Sequence, residues 1–112
     1  MLKLIIKKKW FDMILSLIKK EEYRESKPYY IKRLYNLWKN AGYHGTEEDM
    51  IASIKAKGVF SFGDVKFING YAKNAPTFIA NCTLRIGKGN PEWGAEPNTD
   101  YFVFGIIEVK KD

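Results

Sequence analysis

The chain has 112 residues, and its 46% of hydrophobic and 15% of aromatic residues are enough to build the core of one domain. Its formal net charge of +6 favours a polyanionic partner, most commonly nucleic acid, although many small proteins are basic without such a ligand. The single cysteine, Cys82, excludes an internal disulfide, and no apolar run approaches the roughly 20 residues of a membrane span. We therefore expect a cytoplasmic protein without a membrane partner.

The first segments are predicted to pass from strand to helix and back to strand. Residues 2–7 alternate weakly between apolar and other residues, which suits a β-strand. From about residue 9 to residue 18, apolar residues recur at three- and four-residue spacings, as in a helix with a broad buried face. The charged residues 19–25 should end this helix and begin a second strand.

Two further helices are predicted from their end signals. Pro28 opens the first, where its missing N–H costs little, and Gly42 is a natural stop. Thr46 followed by Asp49 fits a capping box for the next helix, which Gly58 should end.

The rest of the chain has the character of β-structure. A turn is expected at Gly63-Asp64, strands at residues 65–69, 77–86 and 101–109, and loops at residues 70–76 and 87–99. The order of elements is then β-α-β-α-α-β-β-β. Helices grouped in the first half and strands in the second favour an α+β fold over a doubly wound parallel sheet.

Lys19, Glu22 and Arg24 form a candidate site at the second strand. Glu22 and Arg24 are two residues apart and should point to the same face of the strand, which Lys19 can reach from the strand entry. A carboxylate between two cations stays ionised and orients the guanidinium, leaving donors for an anion or a base edge. The alternative is a solvated strand end with an incidental ion pair.

Residues 16–24 (SLIKKEEYR) resemble the motif G-x-K-x-x-E-x-R of the ASCH family, with Lys19, Glu22 and Arg24 at the Lys, Glu and Arg positions. Leu17 stands at the Gly position, and because Leu resists the positive φ that Gly permits, we expect the first helix to run on by part of a turn. Residues 63–65, 86–97 and 101–103 are also similar to that family, so the likeness covers most of the chain.

The resemblance implies a single ASCH-like domain over residues 1–112, with a helical insert at about residues 28–57. Its expected architecture is a PUA-like β-barrel of about five strands with flanking helices. It also implies an RNA- or nucleotide-binding module with a basic cleft at Lys19 and Arg24, because ASCH domains resemble PUA domains and are widely predicted to bind RNA.

An enzyme is the alternative that the resemblance leaves open. Some ASCH proteins remove the acetyl group of N4-acetylcytidine, and others have been described as ribonucleases. In the amidohydrolases the motif Lys is catalytic, a Thr occupies the position of Glu22, and a downstream Glu completes the site. If this protein is an enzyme, the expected catalytic residues are Lys19, Glu22 and Glu92, the last nominated from its place in a long loop. Repulsion from Arg24 should lower the pKa of Lys19, and Glu22 should oppose that effect.

Basic and aromatic residues elsewhere are further candidates for binding nucleic acid. Alternating rings and cations can stack bases and contact phosphates, although a core-facing helix and a solvated junction explain the same pattern. The candidates are Lys8, Lys9, Tyr29, Lys32 and Arg33. A protein-interaction domain with incidental charge is a third class. One His and one Cys do not suggest a zinc site, and we expect neither a metal nor a cofactor.

Overall fold

The computed structural model describes residues 1–110 and has an α+β fold. Its elements are β1 (Leu2–Ile6), α1 (Lys8–Leu15), β2 (Glu21–Glu25), α2 (Pro28–Asn40), α3 (Glu47–Lys57), β3 (Phe60–Asn69), β4 (Thr77–Lys88), a short 3-10 helix (Pro91–Trp93) and β5 (Asp100–Lys110). This order of helices and strands confirms the prediction. Within residues 1–110, no helix has the length and apolar character needed to cross a bilayer.

The five strands form one sheet in the order β1-β3-β4-β5-β2. β1 and β3 are parallel, and the other neighbouring strands are antiparallel. The sheet curls into a half-barrel, so its two edge strands, β1 and β2, approach each other. Arg24 on β2 donates a hydrogen bond from Nη2 to the backbone oxygen of Ile5 on β1, at 3.0 Å. We call this junction of the two edges the seam.

The concave side of the sheet holds the main core. On β4 every second side chain is buried, as the period of a strand requires and as the sequence predicted. All three helices contribute to the same cluster, so they cover the concave side. The buried residues of β4 and of the helices are Phe11, Ile14, Leu34, Met50, Ile54, Phe78, Ala80, Cys82 and Leu84.

The helix ends follow the sequence signals closely. The Asp49 N–H donates to Thr46 Oγ1 at 3.1 Å, and the Thr46 N–H donates to Asp49 Oδ2 at 2.8 Å. The predicted capping box is therefore confirmed. Gly42, just after α2, and Gly58, at the end of α3, both have positive φ, a conformation that costs Gly little.

The predicted turn at Gly63-Asp64 is wrong, because β3 is continuous from Phe60 to Asn69. Its pairing with β4 shifts by one residue between Ser61 and Gly63, where Gly63 has a φ of 120°. Gly63 thus supplies a β-bulge, which bends the strand without ending it.

The expected extension of the first helix past Leu17 is also wrong. α1 ends at Leu15, and Leu17 takes a φ of 64°, the left-handed conformation suited to the Gly of the motif. The N–H groups of Ile18 and Lys19 both donate to the backbone oxygen of Met13, at 2.9 and 3.0 Å, and this closes the helix. These bonds outweigh a left-handed penalty of about 1–2 kcal/mol.

Leu17→Gly is accordingly expected to raise the free energy of unfolding by about 0.5–1 kcal/mol. Relief of the left-handed strain exceeds the extra freedom of Gly in the unfolded chain, and the Leu17 side chain is 63% exposed and has little packing to lose. Urea denaturation measures the change. Leu15→Gly, at the last residue of α1, is the control and should lower stability by a similar amount. A loss of stability in Leu17→Gly would contradict this account.

Candidate functional site

A cleft of about 770 Å³ lies beside the seam. Its walls come from the end of β1, the first turn of α1, strand β2, the start of α2, the loop after β3 and the loop before β5. Segments far apart in the chain therefore meet here because the sheet curls.

Lys19 is the most deeply buried charged group at this cleft, with 1% of its surface exposed. Its ammonium donates a short hydrogen bond to the backbone oxygen of Trp93 and lies 3.1 Å from Glu22 Oε1. The same nitrogen lies 4.4 Å from the ring centroid of Trp10 and 5.2 Å from that of Tyr23. Carbonyl, carboxylate and ring faces thus replace the water that this ammonium lacks.

Burial lowers the pKa of Lys19 below its ordinary value of 10.5. Glu22 opposes this shift through its charge and its hydrogen bond, and Arg24 adds a smaller lowering of the same pKa. The sequence predicted that the pKa of Lys19 is lowered and that Arg24 and Glu22 act on it in opposite directions. Desolvation of the buried ammonium is the largest cause of the shift.

Glu22 and Arg24 share one face of β2, as the strand period predicts. Glu22 is 6% exposed, and its Oε2 accepts from Arg24 Nη2 at 2.9 Å. Arg24 also donates to the Tyr30 hydroxyl at 3.2 Å and to the Ile5 oxygen across the seam. Of its donors, the buried Nε alone has no partner within residues 1–110. Arg24 therefore holds Glu22 in place and connects β2 to β1 across the seam. It does not present the pair of free, parallel N–H donors that bidentate phosphate recognition uses.

The structure does not bring Glu92 to Lys19. Glu92 is exposed on the 3-10 helix and lies outside the cleft, and its N–H donates to Asn90 Oδ1 at 2.9 Å. The tight turn begun by Pro91 directs the backbone of Trp93 to the cleft instead. Glu96, farther along the same loop, lines the cleft.

Tyr29 lines the mouth of the cleft and is 62% exposed. Arg33, one turn later on α2, has its guanidinium carbon 5.6 Å from the Tyr29 ring centroid. It also donates to the Lys3 backbone oxygen at 3.2 Å, so it covers the free edge of β1. Both residues thus lie at one side of the entrance.

The other predicted basic residues are not part of the lining of the cleft. Lys8 pairs with Asp12 at 2.6 Å on the exposed side of α1. Lys9 lies over the Trp10 ring, with its ammonium 4.6 Å from the centroid. Lys32 is exposed on α2, outside the lining.

Sequence reasoning indicated only part of the aromatic character of the site, through Tyr29. Seven aromatic side chains line the cleft, and they come from six separate segments of the chain. Trp93, a large ring within a polar loop, was a further signal, since it needed a place to pack. The rings are those of Trp10, Tyr23, Tyr29, Tyr30, Tyr71, Trp93 and Tyr101.

The charge of the cleft is nearly balanced. Its lining includes the cations Lys7, Lys19, Arg24 and Lys27 and the acids Glu22, Glu25 and Glu96. It is therefore an aromatic cleft with a buried ionic floor, which differs from the basic groove that the sequence suggested. In the described part of the chain, no cluster of three or more His, Cys, Asp or Glu residues could hold a metal ion.

Comparison of the chain with protein-family models, with curated proteins and with solved structures gives no match. The likeness to the ASCH family therefore rests on the residues of this chain.

Proposed function

We propose that the cleft binds the base of an RNA strand, or of a free nucleotide or nucleoside, in an ASCH-like, PUA-like domain. The observation that supports this proposal is the set of seven aromatic side chains around the buried Lys19–Glu22 pair. A base that stacks on an aromatic side chain gains about 1–3 kcal/mol, whatever its sequence. The volume of about 770 Å³ falls within the usual range of ligand sites.

The floor and the mouth of the cleft have different parts in this proposal. Lys19 offers donors and Glu22 offers acceptors to the polar edge of a base. Tyr29 and Tyr71, which are 62% and 89% exposed, line the cleft, so an entering base can stack on either ring. Both rings can be truncated without opening the core.

Phosphate contacts are a smaller contribution. Lys7 and Lys27 line the rim, and Lys27 is already paired with Glu25 at 2.9 Å. With few free cations at the rim, we expect base stacking to supply more of the affinity than counterion release, and the salt dependence to be correspondingly shallow.

Tyr71→Ala is expected to weaken the binding of cytidine 5′-monophosphate by about five- to thirtyfold, the equivalent of one lost stacking contact. Quenching of tryptophan fluorescence measures binding, because Trp10 and Trp93 both line the cleft. Ribose 5-phosphate is the matched ligand without a base and should not bind measurably. Ile107→Ala, which truncates an exposed apolar side chain outside the cleft, is the protein control and should leave the affinity unchanged. Equal binding of the two ligands, or an equal effect of the two variants, would refute base recognition.

Hydrolysis of a modified nucleoside is a second candidate, favoured by the lowered pKa of Lys19 beside Glu22. A neutral Lys19 amine can accept a proton from an attacking water molecule, which a fully protonated lysine cannot do. Glu96, which lines the cleft, would take the supporting role first considered for Glu92.

The test is incubation with N4-acetylcytidine, followed by chromatography for cytidine and acetate. The wild-type rate should rise with pH and level off below pH 10.5, because the pKa of Lys19 is lowered from that value. Lys19→Arg should abolish turnover while retaining a positive charge at the floor, with its folding checked by circular dichroism. Absence of turnover by the wild type, or turnover by Lys19→Arg, would reject the hydrolase.

A further inference from the structure

We propose a second ligand site, for a small planar aromatic carboxylate, between the helices α2 and α3 and strand β3. A cavity of about 610 Å³ opens there, and its lining residues differ from those of the cleft at Lys19. The proposal is independent of base recognition and does not rest on it.

Four aromatic side chains line this cavity beside a larger number of aliphatic ones. Trp38 and Tyr43 stack on each other, with ring centroids 5.4 Å apart and planes inclined by 6°. Phe60 and Phe62 of β3 supply further rings to the lining. Because these two rings cover each other, a planar aromatic body would pack against the outer side of the pair and against Phe60 and Phe62.

The size of the cavity separates it from an ordinary packing defect. Protein interiors are close-packed and hold few voids larger than a water molecule. At about 610 Å³, this cavity has the volume typical of small-molecule sites. Tyr43 in its lining is also 46% exposed, so the aromatic surface is open to an entering ligand.

Charge identifies the class of ligand. Lys57, in the last turn of α3, lines the cavity and has its ammonium 5.2 Å from the ring centroids of both Tyr43 and Phe60. No carboxylate among residues 1–110 forms an ion pair with Lys57. The acid in the lining, Asp64, is already engaged by Lys110 at 3.4 Å and by Asn81 at 3.3 Å. The cavity therefore offers a cation that contacts two rings but has no carboxylate partner in residues 1–110, beside a carboxylate that is already engaged, which suits an anionic ligand.

Three probes with one ring system and different charges test the proposal by isothermal titration calorimetry at low salt. They are 2-naphthoate, 2-naphthylmethanol and 2-naphthylmethylammonium. 2-Naphthoate should bind with one-to-one stoichiometry and more tightly than the other two. Lys57→Met, which keeps most of the side-chain length, should weaken 2-naphthoate about fivefold and leave the neutral probe unchanged, as expected for a partly exposed ion pair.

Two further variants locate the binding. Lys55→Met removes a charge from the same turn of α3, outside the cavity, and should have no effect on any probe. Ser53→Phe fills the cavity from α3 and should weaken 2-naphthoate at least tenfold, provided that thermal melting shows a folded protein. Failure of 2-naphthoate to bind, equal affinity for the three probes, or equal effects of Lys55→Met and Lys57→Met would overturn the proposal. Titrations of 2-naphthoate with cytidine 5′-monophosphate present should give the same affinity for 2-naphthoate. The two proposals can therefore be refuted separately.

Discussion

Replacing Glu22 by Gln is expected to lower the free energy of unfolding by about 3–5 kcal/mol, which is the usual cost of breaking a buried ion pair from one side. Gln retains the size of the side chain and removes the carboxylate that lies between Lys19 and Arg24, at 3.1 and 2.9 Å. The two cations would then remain next to each other, one of them 1% exposed. Urea denaturation at neutral pH measures the loss.

Two controls separate this effect from a general loss of charge. Glu25→Gln removes an exposed carboxylate of the same strand, paired with Lys27, and should cost less than about 1 kcal/mol. Combining Glu22→Gln with Lys19→Met removes the more deeply buried cation as well, and should recover part of the lost stability, because only the more exposed Arg24 is then left without its carboxylate. A double variant that is less stable than Glu22→Gln would show that Lys19 stabilises the fold through contacts other than the ion pair.

Arg24→Ala is expected to cost about 3 kcal/mol, because the guanidinium satisfies three acceptors at once. These are the Glu22 carboxylate, the Tyr30 hydroxyl and the Ile5 backbone oxygen. The last of them ties β2 to β1, so we also expect faster hydrogen exchange of the backbone amides of β1.

Arg33→Ala is the matched control for Arg24→Ala. Arg33 also donates to a backbone oxygen of the β1 edge, that of Lys3, but the structure gives it no carboxylate partner within residues 1–110. Its loss should therefore cost about 1 kcal/mol and change the exchange of β1 little. Equal costs for the two variants would mean that the seam is held by generic edge contacts.

Much of the fold was predictable because its signals are local. The capping box of Thr46 and Asp49 involves residues three apart, and the buried face of β4 follows from the strand period. The same period places Glu22 and Arg24 on one face. The wrong predictions, at Gly63-Asp64 and Leu17, concern backbone conformations that depend on partners elsewhere.

Only the charged residues at the bottom of the cleft could be predicted from the sequence. The sequence indicated Lys19, Glu22 and Arg24, which lie together in the structure. Glu92 lies outside the cleft, because the direction of a loop side chain depends on the tight turn around it. The sequence also suggested that the Arg24 guanidinium has donors free for a ligand, whereas its two terminal nitrogens are engaged by three acceptors. One of these acceptors, the Ile5 oxygen, belongs to a strand that comes near only when the sheet curls.

The sequence by itself determined the α+β class, the order of elements and the shared face of Glu22 and Arg24, because 2.0- and 3.6-residue periods follow from local backbone geometry. Only the tertiary structure decided that the site is a nearly neutral aromatic cleft. Its rings come from six separate segments, and the curl of the sheet that joins them arises from strand pairing over long distances in the chain. The same curl buries Lys19, and that burial lowers its pKa.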